Sequence, residues 1–110
     1  MIEFDPDRIR ERLCEVGEEW AELDAAANLL EETKKTVLAE LMQAHKANVS
    51  SHAQCESLAL ADPGYRLHLT QMVAARKEAN KAKVRYDTGK MWAELRRSQE
   101  STRRAEMGMR

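Results

Sequence analysis

From Ile9 onward the apolar residues of this chain recur at alternating spacings of three and four: Ile9, Leu13, Val16, Trp20, Leu23, Ala27, Leu30, then Val37, Leu41 and Ala44, with Lys34 out of pattern. A seam sustained for about five heptads predicts a long helix that packs along another helix. Asp5-Pro6 supplies its start, an acceptor side chain at the cap followed by a proline where no amide partner is needed. The helix is expected over about 6–47. Asn48 to Ser51 interrupts the rhythm, and Ser51-x-x-Gln54 has the form of a capping box for a short helix over about 51–60. Asp62-Pro63 repeats the opening device, so a second long helix is expected over about 63–107, ending at Gly108. Gly17 falls inside the first helix, where it costs on the order of 1 kcal/mol relative to alanine. That cost is offset if a bulky side chain of the partner helix needs the space.

The second long helix carries two stripes when its residues are placed at about 100° each. One is aliphatic: Leu69, Val73, Val84, Met91 and Leu95. The other is small and aromatic: Met72, Ala75, Ala79, Ala82, Tyr86, Gly89 and Ala93. The stripes lie on separate faces, which is more apolar surface than one partner helix covers. A two-helix hairpin also has little interior, and pairing hairpins into a bundle remedies that. The predicted fold class is therefore all-α: a long antiparallel helical hairpin with a short helix at its bend, assembling into a dimeric coiled coil or four-helix bundle.

Composition agrees with solvated helices. In 110 residues, 34% are charged, only five are aromatic, and Gly and Pro number four and two, which fits a single domain without a large globular core. The longest central apolar run, Leu58 to Ala61, is far shorter than the ~20 residues of a membrane span. The acidic start lacks the build of a signal peptide, so a cytoplasmic location with no membrane partner is expected. If the first helix is continuous, the 41 residues between Cys14 and Cys55 span about 60 Å at ~1.5 Å per residue, far beyond disulfide reach, and a bond between them requires a break in that helix. Both are expected to be free thiols.

Charge divides the chain more sharply than hydrophobicity does. Met1 to Asp62 holds six Lys/Arg against fourteen Asp/Glu, a net of −8, whereas Pro63 to Arg110 holds twelve against five, a net of +7, and the total is only −1. Such a split marks either a basic surface for a polyanion or two halves made to lie on each other. An antiparallel fold about residue 56 sets position i near 112 − i. Trp20 then meets Trp92, Gly17 meets Leu95, and the acidic cluster Glu11, Glu15, Glu18, Glu19 and Glu22 lies along the basic stretch from Lys90 to Arg104. This agreement favours charge pairing within the molecule or across a dimer. The expected interface comprises Trp20, Trp92, Ala79, Ala82, Tyr86 and Ala93, and the expected partners are a second copy of the chain and another protein.

The alternative is a nucleic-acid surface. Arg76, Lys83, Lys90, Arg97 and Arg104 are spaced seven apart, nearly in line along the helix, and Arg96, Arg103 and Arg110 form a second row. Such rows can track phosphates in a salt-sensitive way. Against this reading stand the acidic first helix and the lack of interleaved aromatic residues for base stacking.

Chemistry is sparse. His45, His52 and Cys55 fall near the bend, and His52-x-x-Cys55 has a spacing a metal ion can use, with His68 within reach of the same region. Capping and packing at a helical corner account for these residues more simply, so no metal and no cofactor are assigned. The Glu-x-x-His pairs of dinuclear bundle sites are absent. Cys14 stands among Glu11, Glu15 and Glu18, a setting that opposes an anionic sulfur nucleophile. With no phosphate-binding loop, dinucleotide fingerprint or serine elbow, no enzymatic activity is expected.

The stretch from Lys81 to Ala105, KAKVRYDTGKMWAELRRSQESTRRA, resembles the C-terminal helix of small, uncharacterised phage and prophage proteins. The resemblance covers about a quarter of the chain. It implies an accessory protein, from a recombination or replication gene cluster or acting as an antagonist of a host enzyme, and it carries no catalytic residues.

Overall fold

A computed structural model describes residues 5–108 as four helices and no strand: α1 (Pro6–Glu32), α2 (Lys34–His45), α3 (His52–Ala61) and α4 (Pro63–Gly108). The molecule is a rod, 86 Å long and only 19 by 18 Å across. Two helices side by side fill that cross-section.

The helix starts follow from the cap residues. Asp5 Oδ1 accepts from the amides of Asp7 and Arg8 at 3.1 and 3.4 Å, and Pro6 occupies the first turn of α1. Ser51 Oγ accepts from the Gln54 amide at 3.4 Å at the start of α3. Asp62 ends α3 and begins α4: its amide bonds to the Ala59 carbonyl, its Oδ1 accepts from the Gly64 amide at 2.7 Å, and its Oδ2 accepts from His45 Nε2 at 2.9 Å. That last contact ties the end of α2 to the root of α4 and closes the bend.

The helix expected over about 6–47 is divided at Thr33. Its hydroxyl donates to the Leu29 carbonyl at 2.9 Å and approaches that of Leu30 at 3.3 Å, a back-bond that bends helices. Backbone bonds from Thr33 to Leu29 and from Val37 to Thr33 carry the chain across this break. From α4, the buried His68 donates through Nε2 to the Leu30 carbonyl at 2.8 Å. The two limbs are therefore joined beside the break at Thr33.

α1 and α4 pack antiparallel along most of the rod, in a register different from the expected 112 − i. Gly17 faces the Tyr86 ring, Gly89 faces Leu13, Arg85 reaches Glu19, Arg76 reaches Asp24 and Glu31, and His68 reaches Leu30. These pairs centre on about 103 − i. The chain turns in the 46–51 segment, so α3 belongs to the returning limb and α4 slides by about nine residues. Trp20 consequently stacks on Tyr86, with ring centroids 5.7 Å apart, and does not meet Trp92. Gly17 likewise faces Tyr86 and not Leu95.

The seam is built from small residues. Ala27, Ala79 and Ala82 are buried between the limbs, and among the described residues no larger side chain is fully buried. Small side chains let the helix backbones approach closely, and the reciprocal fits of Tyr86 over Gly17 and Leu13 over Gly89 interlock them. Cys55 and Ala59 of α3 and Tyr65 of α4 make a second buried group near the bend.

Candidate interaction surfaces

Of the two stripes on α4, the small and aromatic one faces α1, and the aliphatic one points the opposite way. Val84, Met91 and Leu95 remain 63%, 70% and 48% exposed, as do Val73 (64%) and Trp92 (61%). Trp92 lies about 120° around the helix from Tyr86, which places it beside this outer face. Among the described residues nothing covers the face. Met91, Trp92 and Leu95 are neighbours on this face, and Val84 lies two turns before Met91 with Thr88 between them; exposed apolar clusters of this kind mark contact sites on small proteins.

A second surface lies in the valley between α1 and α4. It is a groove of about 1250 Å³ running from Pro6 to Asn28 along α1, with Trp20, Tyr86 and Ala93 among its lining. On the α1 side the wall is of small residues, Cys14, Gly17, Ala21 and Ala25, three or four apart on one face. Beyond them Glu11, Glu18 and Glu22 form a strip within about 40°. On the α4 side the edge is basic: Lys83 Nζ lies 6.0 Å from the Trp20 ring centroid, Lys90 Nζ lies 5.4 Å from that of Tyr86, and Arg97 and Arg104 line the far end beside Glu100.

The residues expected at an interface are thus divided. Ala79 and Ala82 are taken up by the seam inside the chain. Trp20, Tyr86 and Ala93 floor the groove, and Trp92 stands on the outer face. The pattern of the sequence separates the two α4 faces, but it does not say which one α1 takes; that follows from the fit of Tyr86 and Leu13 onto the two glycines.

The charge split is used partly within the molecule. Arg76 is its hub, giving Nη1 to Asp24 Oδ1 at 2.6 Å, Nε to Glu31 Oε1 at 2.8 Å and Nη2 to Asn28 Oδ1 at 2.6 Å. The hydrogen bond from Arg76 holds the Glu31 carboxyl below its usual range, and Glu31 and Asp24 together raise Arg76. Asp62 is held low first by the Gly64 amide and then by His45. Of the basic rows, Arg76 is committed to α1, Lys83 and Lys90 lie over aromatic rings, and Arg103 pairs with Glu100 at 3.8 Å. Arg96 lies about 120° around α4 from Lys90, outside the groove edge.

The bend does not gather the histidines and cysteine into one site. His45 is bonded to Asp62, His68 to Leu30, and Cys55 Sγ donates to the Val49 carbonyl at 3.9 Å. Among the described residues no group of three His, Cys, Asp or Glu side chains is placed to hold a metal ion. Cys14 and Cys55 are free thiols, the first exposed and the second buried. No described helix is long and apolar enough to cross a membrane.

No family model matches the chain, and no curated protein or solved structure matches it.

Proposed function

We propose that the protein is a non-enzymatic interaction module of the cytoplasm, an accessory protein of phage type, that binds another protein through the outer face of α4. One observation carries this reading: Val84, Met91, Trp92 and Leu95 are large apolar side chains left exposed on the side of α4 away from the seam, on a helix already satisfied on its other side by α1. Fully burying an exposed side chain of this size is worth about 1.5–3 kcal/mol, and these four, about half to two-thirds exposed, each still have part of that to give on contact with a partner. Exposed tryptophan and methionine suit the role, the one as a rigid anchor and the other as an adaptable filler. The nucleic-acid alternative has less support, because the basic row that suggested it is largely turned to the groove.

The test is affinity capture from the native host with wild-type chain and with the double variant Met91→Lys, Leu95→Lys. Both side chains are exposed, so the hairpin keeps its stability. A protein retained by the wild type and lost with the variant supports the reading. Identical captures, or a wild type that retains only nucleic acid and releases it at moderate salt, contradict it.

A further inference from the structure

We infer that the groove between α1 and α4 is the seat of a second copy of this chain, and that two copies pair with their bends at the same end, α1 of each against α4 of the other. This surface is distinct from the outer face of α4 and does not depend on it.

The argument begins with sign. Beside the groove on its α1 side runs the strip of Glu11, Glu18 and Glu22, of which Glu18 lines the groove together with Asp24 and with Arg10, itself paired to Asp7; on its α4 side run Lys83, Lys90 and Arg97, of which Arg97 lines it with Arg104 and Glu100. A two-fold axis parallel to the helices lays one groove over the other and exchanges the edges, so each acidic strip meets the partner's basic strip. An axis perpendicular to the helices stacks α1 on α1 and α4 on α4, like charge on like. Over the described helices, α1 carries three Arg against nine Asp/Glu, and α4 eleven Lys/Arg against five. The parallel axis is therefore selected strongly.

Height agrees with sign. An axis along the rod preserves the level of every residue, so the register inside the hairpin, about 103 − i, also holds between copies. Glu18 and Glu22 then come level with Lys83 of the partner subunit, and Glu11 with Lys90 of the partner subunit, each within about two residues or 3 Å of rise. Within the chain these lysines only lean over Trp20 and Tyr86, contacts weak enough at an exposed site to exchange for a carboxylate.

Shape agrees as well. Cys14, Gly17, Ala21 and Ala25 leave the α1 wall low, which lets helices of a second hairpin settle into the valley. The groove runs the 22 residues from Pro6 to Asn28, about 33 Å. The resulting four-helix bundle gives the rod the interior that a two-helix hairpin lacks.

The experiment uses three full-length proteins: wild type, an acid-edge variant (Glu18→Lys, Glu22→Lys) and a base-edge variant (Lys83→Glu, Lys90→Glu). All substituted positions are exposed, and circular dichroism verifies that each variant remains helical. Light scattering should give a wild-type mass near twice the 12.6 kDa of the chain. Each variant alone should dimerise at least about tenfold more weakly, since like charges then face each other, and an equimolar mixture should recover the dimer. A further variant, Ala25→Arg, should abolish the dimer by filling the valley without touching the seam. A wild type that stays monomeric at millimolar concentration, or charge variants that dimerise as well as wild type, overturns the inference.

Discussion

Gly17→Ala offers a sharp test of the packing because two effects of known size oppose each other there. In a helix interior, alanine is better than glycine by about 1 kcal/mol, and a solvent-facing Gly17 would make the variant more stable. In the structure a Cβ at this position meets Tyr86 Cε2 at 3.2 Å, Cδ2 at 3.5 Å and Cζ at 3.8 Å. The ring is stacked on Trp20, so moving it aside disturbs that stack as well. Overpacking of this kind costs typically 1–3 kcal/mol. The net expectation is a loss of about 0–2 kcal/mol, a fall in Tm of up to roughly 10 °C for a domain this small. Thermal denaturation followed by circular dichroism at one protein concentration measures it. The same substitution in a Tyr86→Ala background should instead stabilise by about 1 kcal/mol, because the obstruction is gone. Equal stabilisation in both backgrounds would refute the contact and with it the register.

Further expectations follow from other contacts. Glu31 and Asp62 both have folded carboxyls held below their ordinary values, so their contribution is fully present above the unfolded values and is lost as pH falls through the folded ones. Stability should decline below about pH 4.5, and the decline should be shallower in Arg76→Ala and Asp62→Asn, which start less stable at neutral pH. His68→Ala leaves the Leu30 carbonyl beside the break in the first limb without its cross-limb donor and should cost about 1–3 kcal/mol in chemical denaturation; an unchanged midpoint would remove His68 from its structural role. In native protein dilute enough to be monomeric a thiol reagent should label Cys14 and spare Cys55 until the chain unfolds, as read by mass spectrometry; equal labelling would contradict the burial of Cys55.

Much of the fold is legible in the sequence because it is written in local signals. The Asp-Pro pairs at 5–6 and 62–63 mark two helix starts by capping geometry, and the three-four rhythm from Ile9 to Leu30 marks the face that α1 turns inward. Thr33 is less visible, since a threonine in a helix announces a break only when its hydroxyl turns back onto Leu29 and a donor such as His68 arrives from elsewhere. Register is a matter of long-range contact. A fold about residue 56 pairs the two tryptophans, yet Tyr86 fits over Gly17 and leaves Trp92 outside, and nothing local to either residue encodes that choice. The same holds for the charge split, whose total is plain from the sequence while its placement on the two edges of one groove needs the register to be known.

The most direct test of the account follows the two tryptophans separately. Trp20 lines the groove and Trp92 stands on the outer face, so acrylamide quenching of single-tryptophan proteins, made by Trp92→Phe and Trp20→Phe, reports each surface as protein concentration rises. Pairing through the groove predicts that Trp20 becomes shielded at high concentration while Trp92 stays open to quencher throughout. Shielding of Trp92 in place of Trp20, or two tryptophans shielded alike at every concentration, would contradict it.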